Sequence, residues 1–326
     1  MKKNILVIGP KFFGYSEAIR SQLEKYGNKT FFLNERIGDD LMSKVVVRLG
    51  LRFLFNNRLN AHFLDVMSLI DRENIDEVLV LNPETFTNEQ YKKIKDKVLG
   101  RFLMYFWDSF KNKPVFNAYI SDFKSNIVTF DYVDSHKYGV EHLPLFYTED
   151  YYPVPSKDSR YDFCSVCTIH SERIKYLSDI NDVAKKNNKS CYFHLYYNSY
   201  LQLLLKSLTH PFSVYKLRCY LTNKKISHEQ INELFNLSKV VLDVTHPNQT
   251  GLTSRTLESL GSGQTLITTN KYIRKYPIFK DSVLFIDRDN LESGLESIDK
   301  LKRMDPEVIQ EYRLDNWINK LIGFVK

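Results

Sequence analysis

Short apolar runs closed by turn residues recur along this chain, separated by stretches whose apolar positions fall three and four apart. The first run is Asn4-Ile5-Leu6-Val7-Ile8-Gly9-Pro10. A short, non-alternating run of this kind predicts a strand covered on both faces, as in a parallel sheet sandwiched between helices. A loop containing Gly14 follows, then a helix over 16–26 with Ala18, Ile19 and Leu23 as its apolar positions. Further strands are predicted at 29–33, 77–81, 101–106 and 127–130, with helical patterns between most of them. Strands alternating with helices predict a doubly wound parallel sheet.

The pattern then restarts. Tyr151-Tyr152-Pro153-Val154-Pro155-Ser156-Lys157-Asp158 is polar and proline-punctuated, as a linker would be. Beyond it come a strand at 161–166, a helix at 171–187, a strand at 191–196 and a helix at 227–236. A strand at 240–244, a helix at 254–260 and strands at 265–268 and 283–286 complete the series. The alternation in Ser213-Val214-Tyr215-Lys216-Leu217-Arg218 predicts one more strand. Lys216 and Arg218 read there as a solvated strand face, with a reach towards a nucleotide as the alternative. The predicted fold class is α/β, with two Rossmann-like domains facing across a cleft. They cover 1–152 and 158–305, and a helical segment at 306–326 returns towards the first. Ligands of such sheets bind beyond the carboxyl ends of the strands.

Composition narrows the function classes. Hydrophobic residues are 43% and charged residues 26% of the 326, enough for well-buried cores and unlike a disordered chain. The formal charge of +7 is a mild basic excess, below that of a dedicated nucleic-acid binder. It suits a protein that handles phosphates or rests on an anionic membrane surface. Cys164 and Cys167 form a CxxC, but no second pair or nearby His pair completes a zinc site. Both fall in an apolar run that reads as a strand. The apolar run after Lys2 and Lys3 is short and ends at Gly9-Pro10, so no secretory signal is expected, and no apolar stretch approaches the roughly 20 residues of a membrane span. The expected location is therefore the cytoplasm, at the inner face of the cell membrane if the basic, apolar segment 41–63 binds lipid. In that segment Lys44, Arg48 and Arg52 recur four apart among apolar residues, as on one face of a surface helix. A helix packed on the first domain with solvated basic residues is the competing reading.

The stretch 240–263 carries the most chemistry. It reads as strand, polar loop, glycine, then a helix opened by Thr253 or Ser254 as cap. Unpaired N–H groups and the helix dipole favour an anion at such a start. Arg255 lies in the first turn, where a cation opposes the dipole unless an anion is present. Glu258, one turn on, is placed to accept hydrogen bonds from ribose hydroxyls. The plain alternative is an ordinary capped helix bearing one exposed Arg and one exposed Glu.

This segment resembles the donor-binding region of GT-B glycosyltransferases, especially the glycosyl transferases group 1 family and its CgeB-like relatives. The following Gln264-Thr265-Leu266-Ile267-Thr268-Thr269-Asn270 is similar to the strand and turn that close that site. The resemblance covers the second half of the chain by motif and the first half by fold pattern. It implies a donor-binding role for Thr253, Ser254, Arg255 and Glu258. The family's common pair of Glu residues eight apart is not kept, because position 250 is Thr; retention or inversion stays open. In such enzymes the loop Cys167-Thr168-Ile169-His170-Ser171-Glu172-Arg173 brings a basic residue to the donor phosphates, here Arg173, with His170 second. A surface Arg173 paired with Glu172 or solvent is the alternative.

In the first domain, Asp108 follows a predicted strand end and is the candidate general base on an acceptor hydroxyl. Asp131, Asp134 and His136 compete with it, and helix capping is the structural alternative for such acids. The loop Lys11-Phe12-Phe13-Gly14-Tyr15 places Gly14 near the donor and lacks the GxGxxG of nicotinamide enzymes. The resemblance implies a metal-independent transfer of a sugar from a nucleotide-diphosphate donor to a lipid-linked or oligosaccharide acceptor. Bacterial capsule, O-antigen or lipopolysaccharide core would be the product, with no cofactor beyond the donor and no nucleic-acid partner. Two rivals remain: a nucleotide-sugar epimerase of GT-B fold, and a non-catalytic partner subunit of a glycosyltransferase.

Overall fold

The computed structural model describes residues 2–11, 14–35, 56–154, 159–170, 172–287 and 298–324. Their strands form two six-stranded sheets, parallel throughout. The chain divides into two compact units, Met1–Pro144 with Leu314–Lys326, and Leu145–Arg313.

The first unit holds β1 (Asn4–Gly9), β2 (Lys29–Asn34), β3 (Glu77–Leu81), β4 (Phe102–Phe106), β5 (Ile127–Thr129) and β6 (Glu141–His142), in the order β2-β1-β3-β4-β5-β6. Its helices are α1 (Tyr15–Lys25), α2 (Asn56–Glu73), α3 (Asn88–Lys97), α4 (Asn117–Phe123) and α5 (Tyr132–Tyr138). One face of the sheet, through Leu6, Ile8, Val80, Met104 and Phe106, packs into a core with Phe86, Tyr91 and Phe116. On β4, Tyr105 alternates with those residues and stands edge-on to Trp317, ring centroids 4.9 Å apart. The Trp317 indole N–H donates to the Pro144 carbonyl at 2.8 Å, tying the C-terminal helix (Leu314–Gly323) into the first unit. The segment 41–63 lies outside the described residues up to position 55; its last residues open α2.

The second unit holds β7 (Tyr161–Thr168), β8 (Cys191–Tyr196), β9 (Leu221–Thr222), β10 (Ser238–Asp243), β11 (Thr265–Thr268) and β12 (Val283–Phe285), ordered β12-β11-β10-β7-β8-β9. Its helices are α6 (Arg173–Lys186), α7 (Tyr200–Thr209), α8 (Pro211–Lys216), α9 (His228–Asn236), α10 (Ser254–Gly261) and α11 (Pro306–Ile309); the C-terminal helix is α12. Period-two alternation sorts the central strands into two cores. Phe163, Val240, Leu242 and Ile267 enter one, and Cys164, Val166, Val241 and Leu266 enter the other. That double burial is why the sequence shows unbroken apolar runs.

Three expectations meet differences here. The unit boundary lies at Pro144 rather than near 152, because Tyr147 and Tyr151 are buried in the second unit's core and Val154 N–H bonds Asn236 Oδ1 at 3.0 Å. Residues 306–313 group with the second unit, and only α12 with the first. The strand expected at 213–218 is helical instead: α8 begins with Pro211, whose fixed φ suits a first helical position. Lys216 there pairs with Asp182, and Arg218 folds over the Tyr215 ring at 4.2 Å.

Candidate functional site

The second sheet reverses its direction of growth between β7 and β10, since β8 and β9 extend one way and β11 and β12 the other. The loops after two such strands diverge and leave a crevice at their carboxyl ends. The residues singled out from sequence gather there. Arg173, opening α6 after β7, donates from Nε to the Val244 carbonyl just past β10, at 2.6 Å. Its guanidinium also bonds His170 Nε2 at 2.9 Å. Burial first, and then the Arg173 charge, push the His170 pKa down to about 3. The imidazole is therefore neutral and its Nε2 accepts a guanidinium N–H, so Arg173 keeps the positive charge and His170 holds it in place. The His246 ring lies 6.1 Å from that of His170, and its Nδ1 accepts the Asn248 N–H at 3.2 Å.

The start of α10 is fixed from beneath. Buried Asp243, the last residue of β10, accepts the hydroxyls of Thr253 and Thr256 at 2.7 Å each. Thr253 in turn caps the helix by accepting the Thr256 N–H at 3.1 Å. The loop between is held by Asn270, whose amide donates to the Gly251 carbonyl at 2.9 Å, and by Thr269, whose hydroxyl accepts the Thr245 N–H. At the far end of α10, a Cβ on Gly261 would come within 2.5 Å of the Tyr147 ring, so only glycine lets the helix sit this close. Ser254 is the first residue of α10 and half-buried.

Arg255 and Glu258 do not stand side by side on an exposed face. They form an ion pair of 2.8 Å, with Glu258 only 1% exposed and the Arg255 guanidinium 5.4 Å from the Phe235 ring centre. Two groups assigned by resemblance to phosphate and ribose are thus engaged with each other, and a ribose reaching Glu258 meets a carboxylate already compensated by Arg255.

The first sheet reverses between β1 and β3. Gly14 lies after β1 with φ +75° and its carbonyl accepts the Ala18 N–H at 2.9 Å. A Cβ there would meet nothing, so left-handed backbone rather than crowding favours glycine. Asp108 lies past the end of β4 and accepts from the Asn82 amide at 3.4 Å. Burial pushes its carboxyl above the usual range, while Lys113 pulls the other way. Lys113 is itself paired with Glu84 at 2.8 Å. A further carboxylate, Glu35, carries no signal in the sequence. Just past β2, it is buried and accepts the N–H groups of Glu84, Thr85 and Phe86 and the Tyr91 hydroxyl. Burial raises its pKa against those bonds. No local pattern marks it, because its partners lie about fifty residues away in sequence.

The competitors for the base have structural duties. Asp131 caps α5 by accepting the N–H groups of Val133 and Asp134 at 3.1 Å. Asp134 accepts the Phe110 N–H at 2.7 Å, and burial pushes its pKa up to about 6. His136 is exposed and bonds the Tyr132 carbonyl within its own helix. Cys164 and Cys167 both lie in β7, and burial pushes the Cys164 thiol up to about 12, which suppresses a thiolate ligand. Among the described residues, no group of three or more His, Cys, Asp or Glu could hold a metal ion, and no helix is long and apolar enough to cross a membrane.

No family model matches the chain, and no curated protein sequence matches it. Solved structures do. A glycosyltransferase from Rickettsia africae ESF-5 aligns over 99% of this chain and 97% of its own, with TM-score 0.63 and 13% identity. The lipopolysaccharide outer core galactosyltransferase WaaB, in its apo form, aligns over 98% and 99%, with TM-score 0.61 and 12% identity. A UDP-GlcNAc 2-epimerase from Methanocaldococcus jannaschii, solved with UDP-GlcNAc and UDP, aligns over 99% and 100%, with TM-score 0.52 and 10% identity. The fold is α/β of the GT-B type. At these identities it is the fold alone that is shared, and it is common to transferases and epimerases.

Proposed function

We propose that the protein is a metal-independent glycosyltransferase that moves a hexose or related sugar from a nucleotide-diphosphate donor to a hydroxyl of a lipid-linked or oligosaccharide acceptor. The observation that carries the reading is the Arg173 guanidinium fixed between His170 and the Val244 carbonyl at the reversal point of the second sheet. A cation held on Val244, with the start of α10 anchored to the adjoining Asp243, is suited to a diphosphate and to the charge that grows on it as the glycosidic bond breaks. Thr253 and Ser254 would offer the first-turn N–H groups of α10 to the same anion, and Glu258, buried and paired with Arg255, would meet the ribose only once that pair opens. Asp108, whose raised pKa makes it a stronger base than an exposed carboxylate, would take the acceptor proton. Gly14 would allow close backbone approach. The CgeB-like branch of the family, and bacterial surface polysaccharide as the product, belong to this proposal. So does a peripheral place on the inner face of the cell membrane.

The test is release of nucleoside diphosphate from a panel of UDP-, GDP- and dTDP-sugars, with and without a bacterial lipid extract as acceptor source. Release that depends on the extract, with the sugar recovered on lipid, is the expected result. Conversion of a donor to its epimer without acceptor would replace the reading with the epimerase one. Absence of both binding and release would leave a non-catalytic partner subunit.

A further inference from the structure

The helix pair α7–α8 carries its apolar face on the outside. Leu201, Leu204, Leu205 and Leu208 recur at i, i+3, i+4 and i+7, the spacing that normally turns a helix face towards a core. Here those positions point away from it. Leu204 is 56% exposed, Leu208 72% and, on α8, Phe212 81%, and no residue of either helix is buried. Leu203 and Val214 on the opposite side meet the second unit's core, which fixes which face is left outward. Contiguous exposed apolar surface of this kind marks an interaction site.

The charges around it select the occupant. Between Asp182 and Glu229 the chain contains no Asp or Glu, while Lys206 lies on α7 and Arg218, Lys224 and Lys225 follow α8. On α6, Asp182 pairs with Lys216, and Asp179 is drawn to the same ammonium, so both carboxylates there are engaged by one lysine. A second copy of the chain would bring the same cationic rim against this one. An anionic bilayer brings the opposite sign, and its acyl region takes up leucine and phenylalanine side chains. Tyr200 and Tyr215, both exposed at the outer ends of the pair, suit the headgroup level.

We infer that α7–α8 is a membrane-docking face that inserts Leu201, Leu204, Leu205, Leu208 and Phe212 into an anionic lipid surface. The face adjoins the candidate donor site, since Gln202 on α7 donates to the Ile169 carbonyl at 3.4 Å, next to His170. The inference deepens the peripheral membrane place included in the proposed function by giving it a surface; it rests on that placement but not on the transfer reaction.

Co-sedimentation of the full chain with vesicles tests it, using phosphatidylcholine alone and phosphatidylcholine with phosphatidylglycerol. Wild type is expected to partition about tenfold or more in favour of the anionic vesicles, with the preference falling as salt rises. Leu204→Gln with Leu208→Gln is expected to lower that partition by about tenfold while leaving Tm unchanged, because both side chains already face solvent. Lys224→Gln with Lys225→Gln is expected to lower partition to the anionic vesicles only. Partition unchanged by the leucine pair would overturn the inference and move membrane contact to another segment. No partition at all would overturn it too. So would a dimer seen by light scattering that the leucine pair dissolves, which would give the face to a second copy.

Discussion

The carboxyl edges of the two sheets are built from the same kind of strand and loop yet carry opposite chemistry. At the first edge stand Glu35, Glu84, Asp108, Asp131 and Asp134, acids held by backbone N–H groups, by Asn82 and by Lys113. At the second, Asp243 is consumed by two threonine hydroxyls beneath α10 and Glu172 accepts the Tyr176 hydroxyl, beside Arg173, His170, His246 and hydroxyl-bearing residues. The strand orders differ as well. The second follows the dinucleotide-binding pattern, while the first reverses one strand earlier in its own sequence, as flavodoxin-like sheets do. On the proposed reading, a shared architecture gives one edge the task of taking a proton and the other that of holding an anion; such a difference in side chains, not the fold, is where function is argued from.

The comparison yields graded expectations. The largest concerns turnover: Asp108→Asn keeps the side chain's shape and is expected to lower sugar transfer by about 10²–10⁴-fold. Nucleotide affinity should be untouched, and a variant that loses binding and transfer together would contradict the separation of roles. Next, Arg173→Ala is expected to weaken nucleotide-diphosphate binding by about 10–100-fold, as loss of a charge-assisted contact costs roughly 1.5–3 kcal/mol. Arg173→Lys, which lacks the fork that spans His170 and Val244, should recover only part of it. Asp243→Ala strands the buried Thr256 hydroxyl and the half-buried Thr253 one and is expected to cost about 2–4 kcal/mol in urea unfolding. Its counterpart Asp243→Asn, which keeps an acceptor, should cost less.

The smallest effect is in pH, and it has opposite sign at the two edges. Burial holds the Asp134 pKa near 6 against an ordinary 3.8, so the folded form keeps its proton more tightly than the unfolded chain. Its contribution to stability therefore falls as pH rises between those values. Asp134→Asn can still accept the Phe110 N–H and is expected to raise Tm at neutral pH while flattening that slope. His170 behaves in reverse. Its pKa of about 3 lies below an ordinary 6.5, so its contribution is present above 6.5 and is lost as pH falls towards 3. Thermal melts of Asp134→Asn and His170→Gln across pH 4–8 separate the two slopes; equal slopes in both variants and wild type would remove the assigned causes.

Much of the architecture was legible because both sheets are covered on two faces. Val240-Val241-Leu242 and Ile5-Leu6-Val7-Ile8 read as strands since every position is apolar, whichever core it enters. The two-residue edge strands β6 and β9 lack such a run and left no trace. The 213–218 stretch was misread because alternation over six residues also fits a short helix; Pro211 at its start was the missed signal. Helix α7 has its own start signal in Ser199, which accepts the Gln202 N–H at 3.2 Å, but its leucines resemble a core face and gave no hint that they look outward. At the site, Arg173 and the Thr253 cap followed from local spacing. The Asp243 anchor and the Glu35 nest are long-range pairings that only folding brings together. The Arg255–Glu258 pair was visible as i, i+3, yet spacing does not say that the pair is buried.

The most direct measurement is a calorimetric titration of UDP, GDP and dTDP into wild type, Asp108→Asn and Arg173→Ala. The expected result is one nucleoside diphosphate that binds wild type and Asp108→Asn alike and binds Arg173→Ala at least about tenfold more weakly. Equal affinity in wild type and Arg173→Ala, or binding lost only in Asp108→Asn, would contradict the assignment of anion binding to the second edge.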